Sequence, residues 1–77
     1  MTEVVFPPLS KETPDAEGIV ATWFVGEGAT VAGEQLLAEV QVDKVSAEVL
    51  APRAGVVHLL VGEEVTIKQG EPIARID

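Results

Sequence analysis

Short runs of apolar residues alternate with polar ones along most of this chain. Valine, isoleucine and threonine dominate these runs, and glycine or proline interrupts them about every 8 to 12 residues, which is typical of all-β sandwiches and barrels. No stretch repeats its apolar residues with the period of a helix. The pattern predicts strands near residues 3–6, 18–25, 36–42, 45–50, 55–61 and 73–76, with short strands at 30–31 and 66–67.

The chain also repeats itself. Residues 24–40 align without a gap over residues 60–76 when the sequence is shifted by 36 positions, and glycines match as well as apolar residues. Upstream, Gly18-Ile19-Val20 matches Gly55-Val56-Val57 at a shift of 37, so the first half has one extra residue near Trp23. Because two units are too few for a solenoid, the repeat predicts a quasi-twofold pair of sheets around one core.

The segment that joins the two halves predicts a β-hairpin with a two-residue turn at Asp43-Lys44. With that turn the alternation holds on both strands, so apolar residues share one face and polar residues the other. A slip of one residue would move Glu39 and Glu48 to the apolar face, so the sequence determines the register. The predicted apolar pairs are Val42–Val45, Val40–Ala47 and Ala38–Val49, and the polar pairs are Gln41–Ser46 and Glu39–Glu48.

Two features of this hairpin are locally unfavourable. Asp-Lys is a poor match for the primed turns of two-residue hairpins, which require positive φ, so we expect a type I turn with Asp43 at its first corner. Glu39 opposite Glu48 is a like-charge pair, which costs up to ~1 kcal/mol. A hairpin that departs from local preferences is a candidate functional site.

Lys44 is the residue at this tip with useful chemistry, because its amine is exposed and unhindered. Catalytic lysines are usually desolvated, so Lys44 is not expected to be a nucleophile in its own right. Acylation of Lys44 by another enzyme, which supplies the activation, is compatible with the pattern. The alternative is that Lys44 is an ordinary solvated turn residue.

Composition narrows the classes of function. Seventy-seven residues form one domain, 1–77, which can be a piece of a longer chain, and without cysteine there is neither a disulfide nor a thiolate metal site. The formal net charge of −8 disfavours nucleic-acid binding and favours a basic protein surface as partner. No apolar run approaches the roughly 18 to 20 residues that cross a bilayer, so no membrane contact is expected.

Other candidates for chemistry are expected to be structural. His58 lies mid-strand without Asp, Ser or Cys patterned around it, so a surface or edge histidine is favoured over a catalytic one. Glu63-Glu64 is typical of a charged turn rather than of a pair of metal ligands, and no metal site is expected. Trp23 is expected to pack against a sheet face. Turns or close approaches are expected at Gly18, Gly55 and Gly70.

A longer motif surrounds the hairpin tip. Asp43-Lys44-Val45 is followed by Glu48-Val49, by Ala51-Pro52 and by Gly55 with Val57. In the first half, Glu17-Gly18, Val20, Trp23, Glu27-Gly28 and Val31 belong to the same pattern. This pattern resembles the lipoyl domains of 2-oxo acid dehydrogenase acyltransferases. The resemblance covers essentially the whole chain.

The resemblance implies a fold, a cofactor and partners. The fold is a flattened β-barrel, or barrel-sandwich hybrid, of two four-stranded antiparallel sheets. Lipoate would be joined to Lys44 through an amide by a lipoate ligase or lipoyl transferase, which would recognise the flanking Asp43 and Val45. The arm would carry acyl groups and electrons between a thiamine-dependent decarboxylase, an acyltransferase core and dihydrolipoyl dehydrogenase. The domain itself would be monomeric and non-catalytic, in a bacterial or archaeal cytoplasm or in the mitochondrial matrix.

The chain departs from the family pattern in three places. Glu34 and Glu64 stand where glycine is common, and the loop from Ser10 to Glu17 is about two residues longer than usual. In the family this loop lies beside the lipoyl-lysine and contributes to recognition by the decarboxylase. The resemblance therefore assigns partner recognition to Ser10, Lys11, Glu12, Thr13, Pro14 and Asp15.

Three related classes compete with this interpretation. A biotin carrier domain has the same architecture, but its lysine lies between methionines, whereas the only methionine here is Met1. The carrier protein of glycine cleavage also bears lipoyl-lysine, but it is longer and has additional helices. A purely structural barrel-sandwich module of an adaptor protein usually flanks a long helical hairpin, which this sequence lacks.

Overall fold

The computed structural model of the protein describes residues 2–9 and 16–77. All regular structure in this part of the chain is β-strand, and no helix that could span a membrane occurs in it. The predicted all-β class and all eight predicted strands are confirmed, with ends that differ by two residues at most. The strands are β1 (Thr2–Val5), β2 (Glu17–Trp23), β3 (Thr30–Val31), β4 (Leu36–Val42), β5 (Val45–Leu50), β6 (Gly55–Leu59), β7 (Thr66–Lys68) and β8 (Pro72–Ile76).

Two four-stranded antiparallel sheets face each other across one core. Their strand orders are β1-β8-β6-β3 and β5-β4-β2-β7. Alternate residues of each strand point inward, which is why period-2 patterning predicted the strands. The core contains valine, isoleucine and leucine from both sheets together with one aromatic ring. Its largest fully buried side chains are Phe6, Leu37, Ile73, Ile76, Val20, Val40 and Val57.

Hydrogen bonds outside the strands confirm the predicted quasi-twofold relationship. The amide of Phe24 donates to the carbonyl of Leu37 at 2.8 Å, and 36 positions later Leu60 donates to Ile73 at 2.9 Å. The symmetry exchanges the two sheets, because it maps β1 onto β5, β2 onto β6, β3 onto β7 and β4 onto β8. The hairpin between β4 and β5 therefore corresponds to the place where Thr2 of β1 pairs with Ile76 of β8.

The extra residue of the first half is a β-bulge. In β2 the register with β4 shifts between Val20 and Thr22, whereas β6, the symmetry mate of β2, pairs with β8 without a shift. A bulge accommodates one inserted residue without turning the rest of the strand over. Ala21 is thus the residue that changes the repeat offset from 37 to 36.

Two glutamates have backbone conformations that favour glycine. Glu34 and Glu64 have φ values of 66° and 64°. Their counterparts in the other half are Gly70 and Gly28, with φ values of 87° and 80°. The four positions therefore form two symmetry-related pairs of left-handed turns, and in each pair only one member is glycine. The family departures at Glu34 and Glu64 fall where the backbone makes them costly.

Candidate functional site: the β4–β5 hairpin

The register of the hairpin agrees with the sequence prediction at every predicted pair. Val42 pairs with Val45, and the remaining pairs follow in order down to Ala38 with Val49. Two residues, Asp43 and Lys44, form the turn. Lys44 is exposed at the tip.

The predicted type I turn is wrong. Asp43, at the first corner, has a φ of 53°, whereas both corners of a type I turn have negative φ. Positive φ at the first corner belongs to the primed turns, whose twist matches that of the flanking strands. Aspartate tolerates the left-handed region better than most residues, so the twist of the hairpin prevails over the preference for Asn-Gly.

A side chain from β4 contacts this turn. The Nε2 atom of Gln41 donates a hydrogen bond to the backbone carbonyl of Asp43 at 3.1 Å. Gln41 lies on the outer face of the sheet, where it is paired with Ser46 on one side and with Ile19 of β2 on the other. The alternation of the sequence predicts the polar face for Gln41 but not this contact, which depends on the turn conformation.

The base of the hairpin is tightly packed. Val42 is 2% exposed, and Gly18 of β2 lies so close that a Cβ atom there would be 2.7 Å from the Cγ2 atom of Val42 and 2.6 Å from the ring of Phe6. Val45, in contrast, is 49% exposed because it lies above the end of the core. Lys44 is thus presented on a rigid base whose outermost pair consists of a buried Val42 and a half-exposed Val45.

The amine of Lys44 is available for chemistry. Among residues 2–9 and 16–77, no carboxylate lies within ion-pair distance of its Nζ atom. Lys68 is also exposed, but it belongs to β7, where it pairs with Glu17. Lys11, the third lysine, lies outside the described residues.

Comparison with known proteins identifies the family. Residues 2–76 match the biotin/lipoyl family model, described as biotin-requiring enzyme. The chain belongs to this family. Its relatives place it on the lipoyl branch, because it resembles lipoyl-bearing acyltransferases and a solved lipoyl domain. The protein is therefore a lipoyl domain, and domains of this kind carry lipoate covalently on a lysine.

Three relatives show the extent of the similarity. The acetyltransferase component of the pyruvate dehydrogenase complex of Corynebacterium glutamicum is 38% identical over 97% of this chain and 11% of its own length. The succinyltransferase component of the 2-oxoglutarate dehydrogenase complex of Cupriavidus necator is 37% identical over 100% of this chain and 18% of its own. The chain thus spans less than a fifth of either relative. The lipoyl domain of the Azotobacter vinelandii 2-oxoglutarate dehydrogenase complex superimposes with a TM-score of 0.78, at 31% identity over 99% of this chain and 96% of that one.

The loop predicted to recognise partners lies outside the described residues. Ser10, Lys11, Glu12, Thr13, Pro14 and Asp15 are its members, so their predicted role stays a prediction. The described residues on either side of the loop lie at the Lys44 end of the lipoyl domain. Phe6 packs near Val42, and β2 begins beside the end of β4, where Ile19 pairs with Gln41.

His58 reaches the surface and Trp23 packs against a sheet face, as predicted. His58 is partly exposed in β6, with Nδ1 2.7 Å from Glu27 and Nε2 3.0 Å from Asp77. The half-buried Trp23 packs against the core, and its indole Nε1 donates to the carbonyl of Val61 at 3.0 Å. The carboxylates around His58 could not be predicted from the residues beside it, because they lie on distant segments of the chain.

The fold changes the titration of Glu27. The pKa of its carboxyl is lowered, first by a hydrogen bond from the backbone amide of Leu59 and then by one from His58. This network belongs to the sheet that does not carry Lys44. It contributes to the scaffold of the lipoyl domain and has no contact with the hairpin tip in the described structure.

The outer faces of the two sheets differ in charge at equivalent positions. Glu39 and Glu48 face each other on the Lys44 sheet, as predicted. Their symmetry mates are Arg75 and Glu3, which pair with opposite charges on the other sheet. The like-charge pair therefore occurs at this position in the Lys44 sheet and not at the symmetry-equivalent position in the other sheet.

Proposed function

We propose that this lipoyl domain carries its lipoate on Lys44. The observation that carries the proposal is the position of Lys44 at the turn between β4 and β5, exposed and without an ion pair in the described structure. Lys68 is a poorer candidate because its backbone is held in the strand β7, where it pairs with Glu17 of β2, rather than presented on a turn.

The chain fits the chemistry of attachment. An amide forms between Nζ of Lys44 and the carboxyl carbon of an activated lipoyl group, and the activating group leaves. The ammonium gives up two of its three protons to solvent or to the enzyme, and the third stays on the amide nitrogen. A lipoate ligase or lipoyl transferase supplies the activation and recognises Asp43 and Val45 beside the lysine. The domain contributes presentation: a packed base, a fixed register and an exposed amine.

The domain itself is a non-catalytic, monomeric carrier. Lipoate on Lys44 would supply a dithiolane, which can take up an acyl group together with two electrons; once the acyl group has been passed on, oxidation of the dithiol would restore the ring. The rigid barrel holds this arm within reach of several active sites, which raises the effective concentration of the reacting group without new contacts. The role of Lys44 therefore depends on its accessibility more than on any neighbouring acid or base.

The partners follow from the relatives. The two acyltransferases above and the branched-chain acyltransferase component of Bacillus subtilis, 37% identical over 97% of this chain, belong to three different complexes. Because the three complexes act on different 2-oxo acids, we assign the substrate as a 2-oxo acid at the level of the class. The partners are a thiamine-dependent decarboxylase, an acyltransferase core and dihydrolipoyl dehydrogenase, in a bacterial or archaeal cytoplasm or the mitochondrial matrix. The loop Ser10–Asp15 contributes to recognition of the decarboxylase.

Intact mass spectrometry after expression with lipoate and a competent lipoate ligase tests the attachment site. The wild-type domain is expected to gain one lipoyl group, and Lys44→Arg is expected to gain none. Lys68→Arg and Lys11→Arg are the matched controls and should be modified like the wild type. An unmodified wild-type domain, or a lipoylated Lys44→Arg variant, would contradict the proposal. Parallel incubation with biotin and biotin ligase should leave the mass unchanged.

A further inference from the structure

We propose that Gln41 is a positioning residue for the acylation of Lys44. Its side-chain amide holds the peptide between Asp43 and Lys44 in one orientation and thereby fixes the direction in which Lys44 leaves the hairpin. The inference rests on the proposed role of Lys44 as the attachment site. It concerns a residue of β4 that lies outside the two-residue turn.

The hydrogen bond from Gln41 is made to the peptide group that joins Asp43 to Lys44. Gln41 donates to the carbonyl oxygen of Asp43, and this carbonyl shares its peptide plane with the amide nitrogen of Lys44. A peptide plane is rigid, so fixing its oxygen fixes its nitrogen as well. The remaining freedom of the Lys44 backbone is rotation about its own φ and ψ.

The backbone of Gln41 is held by neighbouring strands on both sides. Its backbone lies in the inner strand β4, paired with Ile19 on β2 and with Ser46 on β5. The neighbouring Val42 is buried. The reach from the Cα atom of Gln41 to the turn is therefore set by the side chain alone, and a donor at the end of that side chain contacts the Asp43 carbonyl at 3.1 Å.

The turn needs such a contact because its conformation is not the one its residues prefer. Asp43 has a φ of 53°, and aspartate at this position is also compatible with turns in which φ is negative. Such alternative turns would rotate the Asp43–Lys44 peptide and redirect Lys44. A single net hydrogen bond shifts a two-state equilibrium of this kind by about five-fold.

Two substitutions isolate the donor. Gln41→Glu keeps the length of the side chain but removes the N–H group, and Gln41→Met keeps the length and removes all hydrogen bonding. Gln35→Met is the matched control, because the Oε1 atom of Gln35 accepts from the Ala32 amide at 2.9 Å beside the other end of β4. Both positions are exposed, so the fold is expected to persist in all three variants.

The experiment measures presentation and acylation separately on the intact domain. ¹⁵N relaxation of the free domain gives the order parameter of the Lys44 amide, which should fall from about 0.85 toward about 0.6 in both Gln41 variants. Steady-state kinetics with lipoate ligase should show a KM about two- to five-fold higher with kcat unchanged, because only the competent conformer binds. Gln35→Met should match the wild type in both measurements.

The outcomes separate the inference from the proposed function. If both Gln41 variants keep the wild-type order parameter, the positioning role is refuted, and a raised KM alone would then mean direct contact of Gln41 with the ligase. An unchanged KM despite a more mobile tip would also refute it. A wild-type domain that is never lipoylated would overturn the proposed function, whereas the relaxation measurement would still report whether Gln41 orders the turn.

Discussion

Glu27 and Glu63 make the same contact on opposite sides of the quasi-twofold axis. The carboxylate of Glu27 accepts a hydrogen bond from the backbone amide of Leu59 at 2.7 Å, and that of Glu63 accepts one from the amide of Trp23, also at 2.7 Å. The two glutamates are 36 positions apart, as are the two amides. Each half of the repeat therefore fastens the end of a strand in the other half, so the halves cannot separate without losing both contacts.

Replacement of Glu63 by alanine is expected to destabilise the domain by about 1 kcal/mol, because the Trp23 amide loses a charged acceptor at an exposed site. For a domain of this size that lowers Tm by about 4 to 8 °C. Glu64→Ala changes the net charge equally but leaves the Trp23 contact intact. Thermal unfolding, monitored by circular dichroism, gives the Tm of each variant. An equal decrease of Tm in Glu63→Ala and Glu64→Ala would show that the change of charge alone is responsible.

The contribution of Glu27 is expected to depend on pH. Its pKa is lower in the folded domain than its ordinary value, since the Leu59 amide and His58 both stabilise the carboxylate. A lowered folded pKa means that the stabilisation is fully present above the ordinary value and is lost as the pH falls through the folded value. The Tm difference between wild type and Glu27→Gln should therefore shrink as the pH falls from about 6 to about 3.

Scanning calorimetry across that pH range measures this difference directly. Both proteins share the other carboxyl groups, so their common acid destabilisation cancels in the comparison. A difference that stays constant, or that grows as the pH falls, would be incompatible with a stabilised Glu27 carboxylate.

Glycine is expected to stabilise the domain at Glu34 and at Glu64. Both residues have left-handed backbone conformations, which cost roughly 1 to 2 kcal/mol for a residue with a Cβ atom. Glycine removes that cost but adds freedom to the unfolded chain, so a net gain of about 0.5 to 1 kcal/mol per site is expected. Denaturant unfolding measures this gain in the free energy of unfolding. Glu48→Gly, in the strand β5, is the control and should lower the stability instead.

The sequence predicts the parts of the structure that follow from period and symmetry. The alternation of apolar and polar residues determines the hairpin register, because a shift of the strand pairing by one residue would bury Glu39 and Glu48. The change of repeat offset near Trp23 predicts an irregularity, which the structure shows as the bulge at Ala21. These features are encoded locally or by the comparison of two halves.

Other features depend on contacts between distant segments or on turn geometry. The Glu27–His58 contact joins residues 31 positions apart, and no spacing rule connects them. The turn at Asp43 was mispredicted because local preference favours type I, whereas the twist of the strands imposes positive φ. The Gln41 contact follows from that turn and was invisible for the same reason.

The close approach of Gly18 to the hairpin links the fold to Lys44. A Cβ atom at Gly18 would lie 2.5 Å from the carbonyl oxygen of Gln41, 2.6 Å from the ring of Phe6 and 2.7 Å from Cγ2 of Val42. The backbone of Gly18 is not left-handed, so the constraint is one of space. Glycine is required here because β2 lies directly beside β4 at the residues that support the turn.

Gly18→Ala is therefore expected to displace β4 at the base of the hairpin and to cost about 1 to 3 kcal/mol, the range for overpacking of a filled site. Gly26→Ala is the matched control, since nothing lies within 4 Å of a Cβ atom there. Denaturant unfolding should show a loss for Gly18→Ala alone, and amide chemical shifts should change from Gln41 to Val45. Lipoylation of Gly18→Ala should be slower at a temperature where the variant is still folded. Wild-type stability and rate in Gly18→Ala would mean that β2 and β4 separate easily, and that Lys44 does not depend on the rigid base described above.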